Sequence, residues 1–169
     1  MSRIKLHDKW FKVMISAEEI DAAVERVAEQ LNVRYEGHTP VFLGVLSGSF
    51  LFLSDLVRKT TFNSQLAFVK ISSYEGTEST GEVKQQLGID FDIEGRDIII
   101  VEDIVETGHS MNYLLDYLRK RNPASISICT LFFKPEKFLY EYKIDYTALS
   151  IGNEFIVGYG LGYNQLGRN

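Results

Sequence analysis

The chain has 169 residues, 45% of them hydrophobic, and a formal net charge of −5. That length builds one well-packed domain, residues 1–169, and is too short to expect two. An acidic chain argues against generic nucleic-acid or anionic-membrane binding, while backbone amides and a bound cation can still build a local anion site.

In chain order, Trp10 to Ile15 alternates and reads as a short strand. Ser16-Ala17-Glu18-Glu19 is a capping box, and Ile20, Val24, Val27 and Leu31 continue it as an amphipathic helix ending near Asn32. Gly37 to Pro40 is a turn, Val41 to Leu46 a buried strand, and Ser47-Gly48-Ser49 leads into a helix running to about Arg58. Leu66 to Ser72 is another strand. Ser73 to Gly88 is polar and rich in small residues, so it reads as a long mobile loop or a hairpin, and long loops in compact domains are usually functional. Ile98 to Val101 is a strand buried on both faces, with Glu102 and Asp103 at its exit. Glu106-Thr107-Gly108-His109-Ser110 is a tight turn, and Met111, Leu114, Leu115 and Leu118 form the stripe of a helix stopped by Asn122-Pro123. Ser125 to Phe133 is a further buried strand, and short strands follow around Tyr146 to Ile151 and Phe155 to Tyr159.

This alternation implies an α/β fold: a doubly wound, mainly parallel twisted sheet with helices on both faces, a small hood and a mobile loop. Ligands of such sheets sit outside the carboxyl ends of the strands. Leu46-Ser47-Gly48, Ser72-Ser73-Tyr74, Glu102 to Ser110 and Phe133-Lys134 all fall there. The single Cys129 lies in an apolar run, where a buried inert thiol is expected, and it excludes an intramolecular disulfide. No apolar run reaches transmembrane length, and the first eight residues lack a signal-peptide core, so a cytoplasmic protein is expected.

The turn after the central strand carries the chemistry. A strand–turn–helix leaves amides unpaired at the helix N-terminus, where the dipole favours an anion. Thr107 and Ser110 add hydroxyls, and Glu102 and Asp103 can accept from sugar hydroxyls or hold a hydrated Mg²⁺. The turn is suited to a phosphorylated sugar, and an ordinary βα connection with solvated acids is the competing explanation. Ser47-Gly48 is equally a plain turn or an anion loop, and a lone Lys134 is by default solvated.

The order of buried strand, Glu-Asp, two aliphatics and acid-Thr-Gly-x-Ser resembles the phosphoribosyl-pyrophosphate (PRPP) motif of the type I phosphoribosyltransferases. With its flanking segments the chain resembles the hypoxanthine(-guanine) members of that family over nearly its whole length. The resemblance implies transfer of 5-phosphoribose from PRPP to a 6-oxopurine, with Mg²⁺ as cofactor and a homodimer or homotetramer as the assembly. It implies a 5′-phosphate on Thr107, Gly108, His109 and Ser110, with His109 giving its backbone amide. Glu102 and Asp103 would serve the ribose and metal, and Ser47, Gly48 and Arg168 the pyrophosphate, with a cis peptide between Leu46 and Ser47. Ser73 and Tyr74 would lie on a lid over the reacting centre. Lys134 would donate to the purine O6, Phe155 would stack on the base, and the Ile156 carbonyl would read its C2 side.

Two positions depart from the family pattern. Glu106 stands where members usually carry an aspartate near N7, the proposed general base, and Gly162 stands where they carry a metal-binding aspartate. Both departures motivate a second reading: a PRPP- or nucleotide-binding regulatory protein of the same fold with little turnover.

Overall fold

The computed structural model describes residues 2–73 and 83–169. Strands β1 (Arg3–Leu6) and β2 (Lys9–Lys12) form an antiparallel hairpin apart from the main sheet. The strand expected over Trp10 to Ile15 is therefore shorter and starts earlier. Its pairing ends at the Arg3–Lys12 rung, and Val13 and Met14 beyond it are exposed.

Helix α1 (Ala17–Arg34) begins at the expected capping box: Ser16 Oγ accepts from the Glu19 N–H while the Glu19 carboxylate reaches back to Ser16. Strand β3 (Val41–Leu46), helix α2 (Phe50–Lys59), strand β4 (Gln65–Ser73), strand β5 (Val83–Leu87), strand β6 (Asp97–Val105), helix α3 (His109–Arg119), strand β7 (Ser125–Phe133) and strand β8 (Tyr146–Ser150) follow, with a single 3₁₀ turn at Pro135–Lys137 after β7. The six-stranded sheet has the order β5-β4-β3-β6-β7-β8. Strands β4, β3, β6, β7 and β8 run parallel, and β5 pairs antiparallel with β4. Of the two alternatives for Ser73 to Gly88, β4 and β5 supply the arms of a hairpin, while the segment containing Tyr74 lies outside the described residues.

Alternation along each buried strand divides its side chains between two cores. Ile99 and Val101 of β6 pack with α1 and α2 residues such as Leu31 and Leu56, whereas Ile98 and Ile100 pack with Met111, Leu114 and Leu118 of α3. Helices thus cover both faces, and the connections at the carboxyl edge are left as the accessible rim.

Two expectations need correction. Strand β6 does not end before Glu102; it runs through the acids to Val105, because Ile104 and Val105 pair with Phe132 and Phe133 of β7. No strand forms over Phe155 to Tyr159 either. Gly158, Tyr159 and Gly160 adopt φ values of 96°, 48° and 103°, which fold the tail into tight turns joined by isolated bridges, Gly158 with Leu161 and Tyr163 with Leu166.

The tail and the β1–β2 hairpin form the hood. Phe11 lies 6.2 Å from Phe155 and 6.3 Å from Tyr163, His7 meets Tyr163 edge-on, and the Tyr163 hydroxyl donates to Asp8. An isolated two-stranded hairpin is marginal in water, so these aromatic contacts are what hold it in place.

Candidate active site

Strands β3, β6 and β7 deliver their carboxyl ends side by side, and a cleft of 420 Å³ opens there beneath the hood. That volume suits a small polar ligand. Ser47 and Gly48 line it from the exit of β3, and the Leu46–Ser47 peptide is cis, as expected. Glu102 and Asp103 line it from β6, and Glu106 and Ser110 from the turn beyond. Lys134 enters from β7, and Phe155, Ile156, Gly162 and Arg168 from the tail. Thr107, Gly108 and His109 sit between Glu106 and Ser110 at the mouth of the cleft without lining it. From β4 the lining residue is Ile71, and the backbone of Ser73 ends that strand.

The two acids of β6 differ. Glu102 is 8% exposed, and burial first, then the neighbouring Asp103 charge, pushes its carboxyl well above the ordinary carboxylate range. Its Oε1 accepts from the Asp103 N–H at 3.0 Å. Asp103 lies partly exposed, accepts from the Ile104 N–H at 2.7 Å, and is packed so closely on Gly48 that a Cβ at position 48 would collide with its carboxylate. Gly48 is thus a requirement of close approach between the loop after β3 and strand β6.

At the other end of the cleft, Lys134 is 2% exposed and its Nζ lies 2.6 Å from Glu106 Oε1. The cause is register. Val105 pairs with Phe133, so the next residue of each strand emerges at the same level of the edge, and the Lys134 N–H donates to the Val105 carbonyl at 3.0 Å. The glutamate's extra methylene spans the remaining gap. Phe155, 57% exposed, and Ile156 line the same cleft.

The Thr107–Ser110 turn is held from behind. Gly108 has φ of 90° as the N-cap of α3, and Phe138, Tyr140 and Tyr142 crowd its rear: a Cβ there would fall 2.7 Å from the Phe138 ring. His109 points its ring at the Tyr140 hydroxyl, 2.7 Å from Nδ1, so the ring is turned out of the cleft. Sequence reading missed this aromatic segment, although Phe138-x-Tyr140-x-Tyr142 carries a period-two signal that could have marked one aromatic face.

Arg168 donates to the Gly160 carbonyl at 2.6 Å and to Gln165 Oε1 at 3.3 Å. A Cβ at Gly162 would lie 3.3 Å from the Arg168 guanidinium, so an acid at 162 would lean directly on that arginine. A second groove of 910 Å³, between the hairpin, α1 and the tail, shares Phe155 and Ile156 with the cleft but none of its loop residues.

A family model described as phosphoribosyl transferase domain matches residues 16–164. The chain belongs to the phosphoribosyl transferase family. It is similar to a hypoxanthine-guanine phosphoribosyltransferase of Lactococcus lactis, 44% identical over 159 residues that span 94% of this chain and 86% of the relative. Among solved structures it resembles a hypoxanthine-guanine phosphoribosyltransferase of Bacillus anthracis, with 36% identity, a TM-score of 0.89 and coverage of 94% of each chain. A hypoxanthine phosphoribosyltransferase of Staphylococcus aureus matches with the same identity and TM-score over 96% of this chain and 89% of that one. The phosphoribosyltransferase fold and an enzyme of this family therefore stand on sequence and structure together.

Proposed function

We propose that this phosphoribosyltransferase is a purine-salvage enzyme, transferring 5-phosphoribose from PRPP to a 6-oxopurine with release of pyrophosphate and formation of IMP or GMP. One observation carries the reading. A nearly dry lysine, Lys134, paired with Glu106, shares a cleft with the half-exposed aromatic Phe155, two further acids, Glu102 and Asp103, and two anion-competent loops. An ammonium at that depth donates well to a 6-oxo group and meets an adenine amino group donor to donor. The names of the three similar proteins support the same chemistry.

In this reading the 5′-phosphate rests on the Thr107–Ser110 turn and the ribose hydroxyls on Glu102 and Asp103. Ser47, Gly48 and Arg168 face the pyrophosphate. Phe155 stacks on the base, and the Ile156 carbonyl reads its C2 side. C1 gains oxocarbenium character as pyrophosphate leaves, and Glu106 manages the N7 proton of the incoming purine.

Among the described residues no group of three or more His, Cys, Asp or Glu side chains converges on a metal. Two adjacent carboxyl groups, each accepting from a backbone N–H, suit a Mg²⁺ that keeps most of its waters and arrives with phosphates; the ion's charge would favour the ionised form of Glu102, so Glu102 and Asp103 fit that ion. Bound there, Mg²⁺ supplies charge neutralisation for PRPP. We further propose a homo-oligomer, dimer or tetramer, read by light scattering, and a cytoplasmic location, supported by the one buried thiol. No helix among the described residues is long and apolar enough to cross a membrane.

The deciding assay incubates the chain with PRPP, Mg²⁺ and, in turn, hypoxanthine, guanine, xanthine and adenine. Nucleotide formation with a 6-oxopurine and none with adenine is expected. PRPP binding without any product would select the regulatory reading that Glu106 and Gly162 motivate.

A further inference from the structure

The segment from Phe138 to Tyr142 touches the Thr107–His109 turn at three points. The Leu139 N–H donates to the Thr107 carbonyl at 3.0 Å, the Tyr142 hydroxyl donates to the Gly108 carbonyl, and the Tyr140 hydroxyl meets His109 Nδ1 at 2.7 Å. The Gly108 carbonyl also accepts the Asn112 N–H at 2.9 Å, as the first bond of α3. Across a trans peptide the carbonyl and the following N–H point in opposite directions. Two consecutive carbonyls drawn back in this way turn the N–H groups of Gly108 and His109 toward the open side of the turn, where the His109 N–H makes one long contact, 3.4 Å, to Thr107 Oγ1. Successive N–H groups around a left-handed residue make an anion-binding concavity.

We propose that Tyr142 is a positioning residue for the sugar phosphate, holding the Gly108 peptide so that the turn's amides are aimed before the ligand arrives. The proposal rests on the assignment of the 5′-phosphate to Thr107–Ser110. The strap has a rigid base: Phe138 meets Phe133 at 5.2 Å and Tyr142 at 5.1 Å, both edge-on, and Phe133 ends β7. Burial pushes the Tyr142 phenol up, so its hydroxyl stays protonated and remains a donor through the neutral range. Preorganised donors cost no rearrangement when charge arrives, which is where such a bond affects binding most. The ring packing remains in Tyr142→Phe, and what is lost is the tyrosine's bond to the Gly108 carbonyl, which is then held by the Asn112 N–H alone.

The test compares a ligand that carries the phosphate with one that lacks it. Calorimetric affinities for IMP and inosine are measured on the full chain, wild type and Tyr142→Phe. One lost hydrogen bond to a charge-organising peptide predicts an IMP affinity about 5- to 10-fold weaker, inosine changed by less than about two-fold, and a matching rise in the KM for PRPP. Tyr140→Phe keeps both carbonyl pins and is expected to stay within about two-fold of wild type for both ligands. Equal weakening of IMP and inosine in Tyr142→Phe would reduce Tyr142 to a structural residue, and an unchanged IMP affinity would remove the pinning role. A loss in Tyr140→Phe as large as in Tyr142→Phe would overturn the carbonyl argument. A wild-type chain that binds IMP no better than inosine would overturn the phosphate assignment itself, a result distinct from any behaviour of the variants.

Discussion

Removing either partner of the Glu106–Lys134 pair breaks the same 2.6 Å contact but strands a different charge. The Lys134 side chain is 3% exposed and that of Glu106 41%. Glu106→Ala leaves an ammonium in a nearly dry site, and breaking a fully buried pair in this way costs about 3–5 kcal/mol. Water already reaches the carboxylate and screens the pair, so about half of that, ~2 kcal/mol, is expected. Lys134→Met instead leaves a carboxylate that water can solvate, while the thioether fills the channel of the lysine stem, so the expected cost is below about 1 kcal/mol. For a chain of this length 1 kcal/mol shifts the melting temperature by about 2–4 °C. Glu106→Ala should therefore melt about 4–8 °C below wild type and Lys134→Met within about 3 °C of it, in ligand-free protein by scanning calorimetry. Both variants lose activity, by different routes: Lys134→Met loses purine binding while PRPP affinity is largely kept, and Glu106→Ala loses turnover at saturating substrates. A Lys134→Met protein melting several degrees below Glu106→Ala would refute the reasoning: the lysine stem, and not the stranded charge, would then set the cost.

Three further outcomes follow from the same cleft. Glu106→Asp withdraws the carboxylate by more than about 1 Å from Lys134 and toward the family's usual position; turnover at saturating PRPP should rise by up to about 10-fold, and a fall would mark glutamate as the adapted residue. Gly162→Asp places an acid against Arg168, and initial rates titrated with Mg²⁺ should show a lower half-saturating concentration than wild type; identical titrations with robust activity would show that position 162 is not a metal site. The folded-state Glu102 carboxyl is raised, so the folded state holds its proton where the unfolded chain has released it, and stability falls as pH rises from the ordinary carboxylate range through the folded value. Glu102→Gln, which keeps the acceptor for the Asp103 N–H, should therefore gain melting temperature over wild type progressively from pH 4 to pH 8 in EDTA, and a constant difference would contradict the burial argument.

Local physics made much of this chain readable in advance. Val41–Leu46 and Ser125–Phe133 are strands with the bounds expected, because short segments rich in apolar and β-favouring residues are placed inside a parallel sheet. The capping box of α1 and the stripe of α3 are as legible, since both depend on residues three or four apart. Where local signals competed, the reading failed. Two acids after four aliphatics looked like the end of β6, yet pairing of Ile104 and Val105 with β7 carries the strand on, and the short strand expected over Phe155 to Tyr159 was overruled by left-handed turns. The Glu106–Lys134 pair, the seating of Asp103 on Gly48 and the Phe138–Tyr142 strap join residues 28, 55 and 34 positions apart. No periodicity encodes them. They follow from sheet order, with β6 between β3 and β7, and from register, with Val105 opposite Phe133, so that residues one step beyond each strand meet at the same edge. Composition and periodicity choose the elements and their buried faces, whereas which side chains share a cleft is decided only when the strands have taken their neighbours.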